Sequence, residues 1–399
     1  MADDRGGGFL ARKFGAGVEN YFSGSPLNRL AFLRSNHSFL STALTHPATR
    51  FILLNSLDPL SASASDLAFA TYADVQPLIA NPFAADDKAA IEAFDSTVDR
   101  PLIIFLGVDE AAPPTDHVAW AAGKYAGQAY FSVDVTPRPN TSYQTLAEQL
   151  LAALAVRYPA WEFRRSRLDL RLNRPHAAIL ASVRSLTNWN ATAPFCASCG
   201  QKTMSTNAGT KRHCPAKDRG VERRPCASRE GVHNINFPRT DPTVIMAVIS
   251  SDGKKILLGR QRKWPSDWYS TLAGFLEPGE SIEEAVRREV WEEAGVTVGR
   301  VVLHSSQPWP YPANLMIGAI GEAVPGKETI DLGNDKELEG AKWFPFEQVV
   351  EALKFTTALG DPTPEGYKKG DLRLPPGTAI ANQLIQAVVL GGFHLTSKI

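Results

Sequence analysis

The chain has 399 residues, 44% of them hydrophobic, with 42 basic side chains balanced by 42 acidic ones. That length predicts two or three domains with ample material for buried cores. All four cysteines fall within 31 residues, which excludes a disulfide-rich secreted scaffold, and no run of eighteen apolar residues exists, so no transmembrane helix is expected. Residues 1–17, with "ADDRGGG", have no apolar stretch and read as a flexible tail, not a signal peptide. Residues 18–175 hold short β-rich runs, "FILLN" from Phe51, "LIIFLGVD" from Leu102 and "AYFSVDV" from Ala129, interleaved with helical stretches such as "LAEQLLAALAVRY" from Leu146. The segments "SASASD" and "DEAAPPTD" read as loops. A helix over about His176 to Trp189 forms a linker within 176–192.

Residues 193–238 carry the cysteines. Cys196-x-x-Cys199, Cys214 and Cys226 read as two thiolate pairs that close a tetrahedral zinc site. The second pair is wide, with eleven residues between its members, so His213 and His233 stay open as substitutes for Cys226. With four protein ligands no position is left for water, and such a zinc is structural.

A β-rich catalytic region spans 239–390, from "PTVIMAVIS" to the helical "AIANQLIQAVVLGG". Within it, "GFLEPGESIEEAVRREVWEEAGV" from Gly274 holds seven glutamates in 23 residues. An acidic run on a helix is ordinarily a solvated face, and Arg287 and Arg288 offset part of its charge. The surroundings point elsewhere. Ser281 and Glu284 form a capping box, Ile282, Ala285, Val286 and Val290 give an apolar stripe, and Gly295 is placed to end the helix in a left-handed cap. Glu289, Glu292 and Glu293 then project together, each like pair costing a few tenths of a kcal/mol. Oxygen ligands clustered in this way suit a hard cation, and Mg²⁺, which shares its shell with substrate phosphates, fits best, with Mn²⁺ as the alternative. Further on, "SQPWPYPANLM" from Ser306 places Pro308, Pro310 and Pro312 in five residues, which predicts a rigid loop.

Gly274, Glu280 and Arg288-Glu289-Val290-Trp291-Glu292-Glu293-Ala294-Gly295-Val296 reproduce the Nudix box at its spacing, and the chain resembles the Nudix hydrolases. The Pro-rich segment resembles the SQPWPFPxS signature of the NADH pyrophosphatases, with Tyr311 for phenylalanine and Asn314 for serine. These enzymes carry a zinc ribbon ahead of the catalytic domain. The resemblance implies an α+β fold: a Nudix α/β/α sandwich preceded by a zinc ribbon and, over 18–175, a degenerate Nudix-like domain without its own box.

It further implies that Glu289 and Glu293 bind metal, that Glu292 is a ligand or a proton acceptor, and that Arg288 orients the glutamates. The Ala273 carbonyl and Glu337 complete the metal site, with Glu339 as the rival of Glu337. Gln307, Pro308, Trp309, Pro310, Tyr311, Pro312, Ala313 and Asn314 fall on substrate, as do Phe237, Phe275 and the backbone of Ala381. The activity implied is Mg²⁺-dependent hydrolysis of the pyrophosphate of NADH or NAD⁺ to AMP and a nicotinamide mononucleotide, with a structural Zn²⁺ and a homodimeric assembly.

The alternative activity is removal of NAD caps from RNA, for which Lys211, Arg212, Lys217, Arg219, Arg223, Arg224 and Arg229 offer a basic track around the ribbon. A nucleic-acid-binding zinc ribbon with the Nudix domain as mere carrier is disfavoured, because a pure binder has no need of the glutamates. The chain ends Ser397-Lys398-Ile399, one isomeric step from the peroxisomal address Ser-Lys-Leu, in a tail over 391–399. Recognition by the peroxisomal import receptor and a peroxisomal or cytoplasmic location, with no membrane partner, are therefore expected.

Overall fold

The structure, a computed structural model, describes residues 18–139, 141–164, 171–230, 235–334 and 336–391. The expected tail over 1–17, the terminal Ser397-Lys398-Ile399 and His233 lie outside the described residues. The chain divides into two compact units, one of Ser25–Thr240 with Pro310–Ala313, the other of residues 18–24, Asp241–Trp309 and residues 314–391.

The first unit begins with α1 (His37–Thr45), whose N-cap Asn36 accepts from the Phe39 N–H. There follow β1 (Arg50–Asn55), β2 (Asp58–Ser61), α2 (Tyr72–Ile79), α3 (Asp87–Glu92), β3 (Ile103–Asp109), β4 (Val118–Trp120), β5 (Tyr125–Asp134), α4 (Ser142–Arg157) and β6 (Glu162–Phe163). The sheet order is β3-β5-β1-β2-β6, with β4 on β5; β1 and β5 run parallel and the other pairs antiparallel. Its core is aromatic: the rings of Phe51 and Phe105 lie 5.8 and 5.2 Å from that of Phe131.

The helix α5 (Arg174–Thr192) starts with Asn173 as its cap and a proline in the first turn, which suits a position where the missing N–H costs nothing. The short strands β7 (Met204–Thr206), β8 (Lys211–His213), β9 (Lys217–Asp218), β10 (Val221–Glu222) and β11 (Ile235–Asn236) then carry the cysteine region, as two small sheets, β11-β8-β7 and β10-β9.

The second unit contains β12 (Asp241–Ile249), β13 (Lys255–Gln261), β14 (Leu272–Phe275), α6 (Ile282–Ala294), β15 (Val298–Trp309), β16 (Asn314–Ala323), β17 (Leu338–Pro345), α7 (Phe346–Ala352) and α8 (Ile380–Val389). The order is β15-β16-β12-β13-β17, with β14 on β12 and a central parallel pair β12/β16. Strand side chains alternate faces, so Val244, Met246 and Val248 pack with Ala285, Val286 and Val290 of α6. Ile245 and Ala247 pack on the other side with Val349 of α7 and Ile380, Leu384 and Ile385 of α8. The sandwich thus holds α6 rigidly against the sheet by its apolar stripe.

Two expectations need correction. The Pro-rich segment is not loop throughout: Gln307, Pro308 and Trp309 pair with Met316, Leu315 and Asn314 as the end of β15. Proline lacks the ladder donor but is tolerated on an edge strand, which β15 is. The turn proper is Pro310–Ala313. Residues 18–24, expected with the N-terminal domain, instead strap β15: Asn20 Nδ2 donates to Ser305 Oγ and to the Ser306 carbonyl, both at 2.9 Å, and the Phe22 ring meets Trp309 edge-on at 5.9 Å.

Candidate active site

Helix α6 is fixed at both ends by its own sequence. Ser281 Oγ accepts from the Glu284 N–H at 3.2 Å while Glu284 accepts from the Ser281 N–H at 2.7 Å, and Gly295 closes the helix at φ 70°. Three turns of helix lie between these caps, and the glutamates occupy the last two. Glu293 is buried, at 5% exposure, and Glu289 nearly so, while Glu292 is partly open. Burial pushes the Glu289 carboxyl above its ordinary value, and the charges of Glu292 and Glu337 push the same way against Arg288.

Arg288 gathers this cluster. Its Nε and Nη2 grip the two oxygens of Glu280 at 2.6 and 2.8 Å, and Nη2 also donates to the Phe275 carbonyl at 2.8 Å. Its Nη1 donates to Glu289 Oε1 and Glu292 Oε2, both at 2.9 Å. Those five bonds use all five N–H donors of a guanidinium, which leaves none for a phosphate. Arg288 is thus a positioning residue, not one that touches the reacting atoms. The repulsion among the glutamates, for which the sequence suggested a metal ion as the balance, is offset here by Arg288. Glu280, which has no role by local spacing because it lies eight positions before Arg288, is the anchor; Arg288 holds its carboxyl down at about 2.

The residues fit a divalent cation on two grounds. The side-chain donor set is carboxylate oxygens alone, the preference of a hard ion. A Cβ on Gly274 would overlap the Glu289 carboxylate, so the glycine leaves the cradle that this carboxylate fills. Ala273 lies beside it in β14, paired with Ile245. Glu337 is exposed and close enough to act on Glu289, whereas Glu339 is drawn into an ion pair with Arg260 at 2.6 Å.

Other expected site residues fall into three groups. Phe237 and Phe275 are both exposed, at 58%, and the Lys211 ammonium stands 5.5 Å from the Phe237 ring. Asn314 donates to Thr243 Oγ1 at 3.0 Å, and Ala381 sits in the first turn of α8, where a helix leaves its N–H groups unused. Gln307, expected on substrate, also makes a structural tie. It is 1% exposed, its Nε2 donates to the carbonyls of Tyr21 and Thr378, and its Oε1 accepts from the Ile380 N–H at 3.0 Å. Both amide hydrogens are thereby used.

The cysteines form a second centre. Their ligand atoms all lie within 4.8 Å of one another and all four residues are buried. Cys196 Sγ is 3.8 Å from Cys226 Sγ, and Cys199 Sγ is 3.6 Å from Cys214 Sγ. A regular tetrahedron with zinc–sulfur bonds of 2.3 Å has edges of about 3.8 Å, so the set is already zinc-shaped. Cys226, not His213, is the fourth member. The Ser228 hydroxyl holds the Cys226 thiol down to about 6, while burial pushes Cys214 up to about 12.

The basic track thins when its partners are counted. Arg212 is buried on Thr203 and Asn190, Arg223 pairs with Asp218 at 2.8 Å, Lys217 with Glu222 at 3.2 Å, Arg224 reaches the Cys199 carbonyl, and Arg229 the Cys214 sulfur. Arg219 stays exposed, and Lys211 stands beside the Phe237 ring.

Residues 239–365 match the NUDIX domain, and residues 48–189 the NADH pyrophosphatase-like rudimentary NUDIX domain. The NAD-capped RNA hydrolase of Schizosaccharomyces pombe is 35% identical over 369 residues, which cover 92% of this chain and 92% of that protein. The human NAD-capped RNA hydrolase NUDT12 is 35% identical over 384 residues, 92% of this chain and 73% of its own. The human mitochondrial NAD(P)H pyrophosphatase NUDT13 is 38% identical over 216 residues, 54% of this chain and 55% of its own.

Proposed function

The chain belongs to the Nudix hydrolases, in the group that carries an NADH pyrophosphatase-like rudimentary domain ahead of the catalytic one, and on that premise we propose that it hydrolyses the pyrophosphate of NADH and NAD⁺ and of NAD-capped RNA. The observation that carries the reading is the convergence of Glu289 and Glu292 on Arg288 beside the Gly274 cradle, with Glu293 buried on the same last turns of α6. Nudix hydrolases use a divalent metal; Glu289, Glu292, Glu293 and Glu337, with the Ala273 carbonyl, would hold it, and Mg²⁺ is the ion we favour. When bound, the metal neutralises phosphate charge and lowers the pKa of water. The chain supplies the rest. Arg288 keeps Glu289 and Glu292 in place, and Glu292, the most open of the three, is the one we assign as proton acceptor. Hydrolysis adds water across the P–O–P bond and releases AMP and nicotinamide mononucleotide, or, from a capped RNA, the mononucleotide and a 5′-phosphate end.

We assign base stacking to Phe237, Phe275, Trp309 and Tyr311, and substrate contact to Pro308, Pro310, Pro312, Ala313, Asn314 and the Ala381 backbone. Zinc fills the cysteine tetrahedron as a structural ion. Homologues named NAD-capped RNA hydrolases favour the capped substrate as well as the free dinucleotide. A homodimer and partial peroxisomal residence through Ser397-Lys398-Ile399 complete the proposal. Loss of puncta from an N-terminal fluorescent fusion on deletion of that tripeptide tests the second, and light scattering tests the first. The central experiment is parallel kinetics on NADH, NAD⁺, ADP-ribose, diadenosine phosphates and NAD-capped RNA with Mg²⁺ or Mn²⁺. Absence of turnover on every nicotinamide substrate would refute the reading.

A further inference from the structure

Arg184 stands in the middle of α5 and reaches two loops far away in the chain. Its Nε donates to the Pro310 carbonyl at 2.7 Å, another of its nitrogens donates to the Leu57 carbonyl, and its guanidinium carbon lies 4.8 Å from the centre of the Tyr311 ring. Leu57 belongs to the turn between β1 and β2, where Ser56 and Leu57 both have left-handed φ, at 52° and 70°. One planar cation thus ties the Pro-rich turn to the β1–β2 turn and supports the face of its aromatic ring. The contacts are directional. A guanidinium presents donors in a fixed fork and stacks by its face, so the bond to Pro310 and the contact with Tyr311 together set the position and tilt of the ring. The backbone of the turn cannot do this alone, because Pro310 and Pro312 contribute no N–H donors.

We propose that Arg184 is a positioning residue for substrate selection: it holds the Tyr311 ring in the orientation that stacks on the dinucleotide. The inference rests on the reading that Tyr311 contacts substrate. It assigns to α5 a share in affinity exerted through the Tyr311 ring.

The test is steady-state kinetics on NADH with the full-length metal-loaded enzyme, in a cycle of Arg184→Ala, Tyr311→Ala and the double variant, with melting temperatures measured alongside. Arg184→Ala is expected to raise KM by about tenfold with kcat within about twofold, the pattern of a lost binding contact. The double variant should be little worse than Tyr311→Ala alone, since both remove one interaction. Arg184→Lys, which keeps a cation under the ring but not the fork, should restore part of KM; it also serves if the alanine variant does not fold. Arg184 variants with wild-type KM, or effects that multiply in the double variant, would overturn the positioning role while leaving Tyr311 in place. A Tyr311→Ala enzyme with unchanged KM would overturn the substrate reading of that ring, and the role of Arg184 with it.

Discussion

The chain contains two six-stranded sheets with the same skeleton. In the first unit β1 runs parallel to β5, β2 pairs β1 on the other side, and β3 lies outside β5; in the second, β12, β16, β13 and β15 occupy the corresponding places. The difference lies between the second and third of these strands in chain order. There the first unit has α2 and α3, six to eight residues each, and the acid in the first turn of α2, Asp74, is spent capping its own helix at Thr71. The second has β14 and the 13-residue α6, with three glutamates on its last turns and an arginine to hold them. One architecture therefore serves in one unit as a scaffold and in the other as a site, and what separates them is a single helix and the glycine strand it lies against.

Chelation should sharpen that contrast most. Removal of the metal at the glutamates by a chelator that leaves the zinc in place is expected to abolish turnover, which returns on adding Mg²⁺ or Mn²⁺, with the melting temperature little changed. Glu293→Gln should lower kcat by roughly 10²–10⁴-fold with the fold kept, as circular dichroism will show. Glu92→Gln, an exposed acid of α3 in the first unit, should leave kcat as it is. Comparable losses from both substitutions would mean that the first sheet is not a bystander.

The cysteine centre responds in the opposite way. Its sulfurs are buried and already at tetrahedral distances, so metal analysis should give one zinc per chain. Cys199→Ser should destabilise the first unit by several kcal/mol, because binding free energy at a structural zinc is folding free energy. Soluble Cys199→Ser protein with wild-type melting would contradict the assignment. Next in size is Arg288→Ala. Loss of a residue that orients ligands without being one typically costs 10–100-fold in activity or metal affinity, and added metal should rescue part of it.

What the sequence made legible were features whose parts lie close together in it. The capping box at Ser281, the glutamates on consecutive turns and the Cys196–Cys199 pair each follow from spacings of two to four residues. Cys226, separated from Cys214 by eleven residues, needed the folded chain to be chosen over His213. The rest depended on contacts between distant segments. Asn20 meets β15 across 285 residues and Arg184 meets Pro310 across 126, and no local pattern announces either. Pro308 was misplaced for a related reason: proline excludes a central strand, but whether a strand is at an edge is a property of the whole sheet. At the ribbon, composition records charge and not its partners: Arg212 is buried and Arg223 pairs with Asp218, while Arg219 and Arg224 stay exposed.

The smallest expected effect concerns Glu280, the remote anchor of Arg288. Its carboxyl is held at about 2, below an ordinary 4.5, chiefly by the hydrogen bonds from Arg288. A carboxyl depressed in the folded state stabilises fully above its unfolded value and loses that contribution as pH falls toward the folded one. The groups facing the same guanidinium are Glu289 and Glu292, and Glu289, raised by burial, protonates before Glu280 on acidification. Between about pH 4.5 and 2 the contribution of the Glu280–Arg288 pair should therefore fade. Glu280→Gln is expected to lower the melting temperature at pH 7 by a few degrees, and the gap to wild type should close as pH drops through that window. A gap constant from pH 7 to 3 would show that the pair contributes through packing alone, and that the second sheet holds its glutamates without help from charge.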